Sequence, residues 1–214
     1  MSYECSLHGA VPAASVAPLI ERICGLSGLA APLVASAKLP QIAEVEMVFN
    51  ERGGRGGNAP LRIRSDWCAA ESSVKTLQDL KWSLLFIGQP QPPKPGQLAT
   101  IRAVYEAPVM QGSVFDYLDL LDYELTLEFM RKGYRFHYGA ISITISCIHK
   151  FQSKHDLSSI TPLDPSGTWL VELCTERTAT ENIPFASEKL AQFARNLRGL
   201  VDLSIVDINK NGTR

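Results

Sequence analysis

The sequence predicts a mostly β protein of the α+β class: an antiparallel sheet closed into a barrel, with helices flanking it. Two observations carry this. Eight or more stretches alternate apolar and polar residues with a period of two, and only three show the three- and four-residue apolar spacing of a helix. Strands with one dry and one polar face are antiparallel strands. So many of them in one chain satisfy their edges by curling and closing. No repeat recurs at a fixed period, which sets aside a propeller or a solenoid.

In chain order, the first helix is expected over 16–26. Ser15 stands at its N-cap, Val16, Leu19, Ile20, Ile23 and Leu26 form its stripe, and Gly25 and Gly28 close it. Val45, Met47 and Phe49 then alternate with Glu44, Glu46 and Val48, and Leu61 and Ile63 with Arg62 and Arg64. Weaker alternation follows over 82–87 and 101–105. A short helix over 113–121 is announced by Ser113 with Asp116 three residues on, a capping box, with Leu118 and Leu121 facing inward. Tyr123 to Phe129, Ile141 to Cys147, Leu170 to Leu173 and Val201 to Ile208 alternate again. Between the last two, Ser187 caps a third helix over 188–198, striped by Leu190, Phe193, Ala194 and Leu197 and ended by Gly199.

The loops connect rather than divide. Residues 89–97 carry four prolines, which remove ladder donors, and 152–168 is polar. Neither side of either loop holds a complete pattern, so a single domain spanning 1–214 is expected. Apolar residues at 45% and charged ones at 20% are ordinary for a packed globule and argue against wholesale disorder. Lys plus Arg is 21 and Asp plus Glu is 22, a net charge of −1, so no global field draws the chain to nucleic acid or anionic lipid. Five scattered cysteines without a C-x-x-C pair point to reduced thiols in a cytosolic or nuclear protein, with neither a disulfide framework nor a zinc site. No secretory signal and no membrane-length apolar run is read.

Residues 53–57, Gly-Gly-Arg-Gly-Gly, invite a phosphate-loop reading, but a strand follows where that loop needs a helix and a Lys-Ser/Thr pair. A flexible hairpin loop fits the flanks. Pairing around it would put Glu44 and Glu46 on one face with Arg62 and Arg64. That pattern resembles the tunnel triphosphatases, whose barrels hold a metal ion on glutamates and triphosphate on inward basic residues. Val48 departs from the Glu-x-Glu-x-Lys motif of that family, and inward basic residues on the other strands read as sparse. A metal-dependent phosphohydrolase of this type is therefore the alternative to a scaffold. The four histidines, His8, His137, His149 and His155, have no partners at metal spacing and read as surface or capping residues. The run 131–135, Arg-Lys-Gly-Tyr-Arg, reads as a tight turn with Gly133 at its bend. No catalytic, cofactor or metal residue is assigned.

The order of landmarks carries a family resemblance. Leu7-His8-Gly9 ends a first strand and Leu19-Ile20-Glu21-Arg22 lies in the helix. Glu46-Met47-Val48-Phe49, Leu61-Arg62 and Trp82 with Gly88-Gln89-Pro90 follow. Then come Phe115 to Phe151, with Glu128-Phe129, Lys132-Gly133, Phe136 and Gly139, and finally Leu170-Val171-Glu172-Leu173. In this the chain resembles the family of subunit 18 of the Mediator complex, over nearly its whole length. The resemblance implies a closed antiparallel barrel and a non-catalytic, nuclear scaffold without cofactor. It implies pairing with Mediator subunit 20, a hold on the C-terminal helix of subunit 8, and contact with RNA polymerase II through the head module. It implies neither membrane association nor sequence-specific nucleic-acid binding. For the subunit 8 helix, the apolar flank of helix 188–198 at Leu190, Phe193, Ala194 and Leu197 is the expected docking surface.

Overall fold

Alternation along the chain becomes a closed sheet. The computed structural model describes residues 2–29, 39–53, 59–67, 77, 80–92 and 94–205. The strands are β1 (Tyr3–Pro12), β2 (Gln41–Glu51), β3 (Leu61–Asp66), β4 (Ser83–Ile87), β5 (Thr100–Pro108), β6 (Tyr123–Tyr138), β7 (Ile141–Phe151), β8 (Ile160–Pro162) and β9 (Thr168–Thr175). Neighbours pair antiparallel in the order β6-β2-β3-β4-β5-β1-β9-β7, and β6 pairs back onto β7 to close a barrel of eight strands. The short β8 hangs from the end of β7. Among the described residues three α-helices flank the barrel: α1 (Val16–Leu26), α2 (Val114–Leu120) and α3 (Ile183–Arg195).

Closure depends on the 16-residue β6, which is bonded along one edge to β2 and along the other to β7. Gly133 sits where both ladders overlap, opposite Ile42 and Ser146. A Cβ there would lie 2.0 Å from the carbonyl oxygen of Ile145. The run 131–135 is therefore the interior of a strand and not the expected turn. Its glycine serves close backbone approach at the tightest part of the wall.

Most buried apolar residues lie outside the barrel, between its wall and the helices, while Leu85 and Val104 face the interior. One cluster packs Leu19, Ile20 and Ile23 of α1 and Leu190, Phe193 and Leu197 of the α3 region onto Leu7, Ile143, Ile145, Val171 and Leu173. The other packs Val114 and Leu118 of α2, with Trp82 and Leu77, onto Val45, Met47, Ile63 and Met130. Residues Ala43 to Phe49 of β2 are buried without a break, because one face meets this second cluster and the other faces the barrel interior.

Several expected boundaries move. Helix α3 starts at Ile183, with Pro184 in its first turn, and Ser187 is no cap. Ser187 is buried inside the helix, its Oγ 3.3 Å from the Sγ of Cys5. In α2 the Ser113 hydroxyl does accept from the Asp116 N–H, but Leu121 falls after the last helical residue and is 45% exposed. The alternation over 201–208 does not become a strand in its described part, 201–205. There it makes one bridge, Ser204 with His8, on the stretch of β1 beyond its pairing with β5. Gly9 permits this approach, since a Cβ would lie 2.6 Å from the Asp202 carbonyl oxygen. Residues 206–208 lie outside the described residues. So do residues 54–57 of the glycine loop, which Gly53 enters in a left-handed conformation, φ +89.

These contacts give opposite expectations for two glycines. Gly133→Ala should lower stability by more than about 2 kcal/mol, because the colliding atom is backbone and cannot swing away. Gly25→Ala, in α1 with nothing within 4 Å of the added methyl, should raise it by about 0.5–1 kcal/mol through helix propensity. Urea denaturation of both variants measures the pair.

Candidate functional site

Because the apolar sides of the strands face outward to the helices, their polar sides fill the barrel. The register sets Glu46 opposite Arg64 on β3 and Val48 opposite Arg62. The Glu46 side chain is 1% exposed. Arg62 Nη1 donates to its Oε1 at 2.7 Å, while Arg64 donates to Oε2 from Nε and Nη2 at 3.2 and 3.0 Å. Arg131 reaches the same oxygen from β6 at 3.4 Å and gives its other nitrogen to Glu172 of β9 at 2.6 Å. Glu172 lies 3.4 Å from His8 Nε2 on β1. A continuous chain of charge thus crosses the interior from β3 to β1. Beside it Arg135 holds Glu44 through two nitrogens, at 2.8 and 2.9 Å, and Arg177 pairs with Glu106.

The energetics follow from burial. Removing an unpaired carboxylate from water costs several kcal/mol, and only close, hydrogen-bonded counter-charges offset it. Burial alone would push the Glu46 carboxyl up. The charges of Arg64 and Arg131 and the bond from Arg62 more than reverse that, so it sits below the usual carboxylate range. Glu44 is lowered in the same way, burial being outweighed by Arg135. At Glu172 the bond from His8 and the charge of Arg131 overcome burial and hold it at about 2. Glu4 goes the other way. Its burial dominates, a hydrogen bond with the Cys174 thiol offsets this only in part, and its carboxyl is raised.

Several expectations change at this site. Glu44, Glu46, Arg62 and Arg64 do share one face, as the hairpin requires. The interior is not poor in basic residues, since β5 and β6 add Arg102, Arg131 and Arg135 and Arg177 follows β9. What hid them is visible: with 131–135 taken as a turn, its arginines had no facing direction. His8 is an interior residue facing Glu172, whereas His155 stays exposed, as expected, and pairs with Glu128 at 2.9 Å. Chemically, Glu44 and Glu46 spend their oxygens on guanidinium groups, which stand where a metal ion would need to be. Among the described residues no group of three or more His, Cys, Asp or Glu is arranged to hold a metal ion.

The expected docking residues divide. Leu190, Phe193 and Leu197 are buried against the barrel wall and Ala194 is half-buried. Two grooves run beside α3. One, of about 620 Å³, lies between α3 and the β6–β7 turn, with Phe185, Tyr138 and the edge of Phe193 in its walls. Phe185 is 61% exposed and carries the Lys189 Nζ 4.2 Å above its ring. The second groove passes Ala194, Arg198 and Leu203.

The depressed carboxylates make stability acid-sensitive in a defined window. A carboxyl lowered on folding contributes stability that is complete above its ordinary value of 4.5 and is lost as pH falls through its folded value, about 2 for Glu172. Stability is expected to fall between those limits, and Glu172→Gln to flatten the fall by about one proton. Glu46→Gln at neutral pH should cost about 3–5 kcal/mol, since it strips the counter-charge from three arginines. Denaturation across the pH series measures both.

Comparison with known proteins matches this architecture along the chain. The family model described as Med18 protein matches residues 3–214. A Yarrowia lipolytica protein named as Mediator of RNA polymerase II transcription subunit 18 is 28% identical over 148 residues, covering 68% of this chain and 62% of that protein. The Danio rerio protein of the same name is 26% identical over 204 residues, 95% of this chain and 88% of that protein. Among solved structures, a chain of the Schizosaccharomyces pombe Mediator head module superposes with a TM-score of 0.78 at 19% identity, over 95% of this chain and 98% of that one. A protein of Pyrococcus horikoshii reaches 0.57 at 17% identity, over 94% and 93%. The barrel therefore recurs outside Mediator, and the family model decides which lineage this one is. With that model matching from the first strand to the end of the chain, the protein belongs to the Med18 family.

Proposed function

We propose that this chain is a non-catalytic scaffold of the Mediator head module. It pairs with Mediator subunit 20, is tethered by the C-terminal helix of subunit 8, and reaches RNA polymerase II through the head, in the nucleus. The observation that carries this reading is the match of the Med18 family model to residues 3–214. A near full-length likeness to a head-module chain supports the fold half of it. The barrel interior supports the non-catalytic half. Glu44 and Glu46 are neutralised by arginines from β3 and β6, and Val48 stands at the third position of the motif. Purified protein with Mg²⁺ or Mn²⁺ should not turn over ATP or tripolyphosphate. Turnover abolished by Glu44→Gln or Glu46→Gln in a variant that circular dichroism shows folded would replace the scaffold reading with an enzyme.

The helix of subunit 8 is assigned to the flank of α3, in a form set by burial. Leu190 and Leu197 hold α3 to the barrel, and Phe193 and Ala194 reach the grooves on its two sides. The Phe185 side is the more apolar seat, because an exposed ring and Tyr138 line it. An amphipathic helix buries its stripe in such a groove.

Co-expression with subunit 20 and the C-terminal segment of subunit 8 tests the assignment. A stable three-way complex is expected, and Phe185→Asp should weaken capture of the subunit 8 segment at least about tenfold without lowering the melting temperature. Release by Ala194→Glu with Phe185→Asp inert would move the seat to the other groove. Absence of any complex would sink the scaffold reading.

A further inference from the structure

The connection from β4 to β5 carries a pattern that the barrel does not use. Every residue from Gln89 to Pro95 is a proline or directly precedes one. A proline ring holds its own φ at about −65°, and the residue before it is pushed toward extended backbone. The segment is therefore predisposed to a polyproline II helix, with about three residues per turn and no internal hydrogen bonds. Both of its flanks are tied down. Gly88 and Gln91 donate their N–H groups to the Ala103 and Ile101 carbonyl oxygens of β5, each at 2.8 Å. At the other end the Gln97 N–H donates to the Lys94 carbonyl at 3.0 Å, across a turn in which Gly96 has φ +78. The Gln97 side chain locks that turn, accepting from the Lys94 N–H at 2.9 Å and donating to the Ala99 carbonyl at 2.7 Å.

What the segment shows to solvent follows that threefold period. Pro90 is half-buried, whereas Pro92, Lys94 and Pro95 are exposed. Pro92 and Pro95 are separated by one turn of such a helix and fall on one edge of it. The dipeptides Gln91-Pro92 and Lys94-Pro95 then stand in the same phase, and position 93 between them takes no part in the site. The carbonyls of Gln91 and Pro92 accept no hydrogen bond among the described residues. Lys94 is the single charged residue between Lys81 and Arg102, and its ammonium makes no ion pair among the described residues. Proline rings in this phase, beside open carbonyl acceptors, are what aromatic-lined grooves read, and a lone cation asks for a carboxylate at the groove's edge. A ligand already held in its bound shape loses little conformational freedom on docking. We propose that Gln91-Pro92 and Lys94-Pro95 dock in the aromatic-lined groove of a polyproline-reading protein domain that places a carboxylate opposite Lys94. No residue of the Phe185 groove takes part, so this docking does not rest on the subunit 8 assignment.

The full chain is passed over a panel of purified SH3, WW and EVH1 domains, and the tightest pair is titrated calorimetrically. Saturable one-to-one binding by at least one domain is expected, weakening as salt rises. The double variant Pro92→Ala, Pro95→Ala should weaken it about tenfold or more, since ring contacts and preset shape are lost together. Lys94→Glu should weaken it about fivefold or more, and Lys94→Arg should preserve it. Phe185→Asp, in the groove beside α3, should leave it unchanged. Should the double variant fail to fold, the amide resonances of Gln91, Lys94 and Gly96 in the unaltered chain must shift on adding the domain. Binding by no domain of the panel, equal binding by the double variant or by Lys94→Glu, loss of binding with Phe185→Asp, or unmoved resonances overturns the proposal. Capture of subunits 20 and 8 by the double variant reads the scaffold function independently.

Discussion

The carboxylate of Glu46, closed inside the barrel with arginines from two other strands on it, is the constraint that the rest of this structure answers to. A buried carboxylate of this kind is tolerable only when its partners arrive in one geometry. Arg62 and Arg64 arrive from β3 and Arg131 from β6, and Arg131 passes the connection through Glu172 to His8. The ladder β6-β2-β3 and the ladder β1-β9 are thereby tied through the lumen as well as around the wall. A slip of β2 by one residue would turn Glu44 and Glu46 out toward apolar helices and Val45 and Met47 in toward guanidinium groups. Both faces of the strand penalise the slip, which explains how a strand buried along Ala43 to Phe49 keeps a unique register.

The polar interior dictates where the apolar core goes. A barrel with so many charges inside buries most of its hydrophobic surface outside, under α1 and α3 on one side and under α2 and the Trp82 segment on the other. The helices are structural covers first. Their inward stripes, Leu19, Ile20 and Ile23 in α1 and Leu190 and Phe193 in α3, are consumed by the wall. At the seam where a cover meets the barrel, Phe185 and Tyr138 stay exposed.

The same interior separates two uses of one architecture. A lumen lined by carboxylates alone would attract hard cations. Here arginines neutralise the carboxylates that such a cation would need. Fold and chemistry are separable properties of this chain.

By itself the sequence determined the fold class, the three flanking helices and most of the strands. Alternation over 44–49, 61–64, 123–129 and 141–147 needs only neighbours along the chain to be recognised, and each stretch became a strand. The pairing that set Glu44 and Glu46 on one face with Arg62 and Arg64 held as well, since neighbouring antiparallel strands alternate their faces with the same period. The family too was legible, because the spacing of Leu7-His8-Gly9, Phe115 to Phe151 and Leu170 to Leu173 survives in the chain without a structure. What the tertiary structure decided is everything that depends on contacts far apart in sequence. Gly133 looked like a bend and is a strand residue, because its necessity comes from Ile145 on the neighbouring strand. Ser187 looked like a cap and is a core residue, because Cys5 lies against it across most of the chain. Arg102, Arg131 and Arg135 acquired a common direction only when β5 and β6 curled to face β2. Residue type and period are local properties, whereas inside and outside exist only after the sheet has closed.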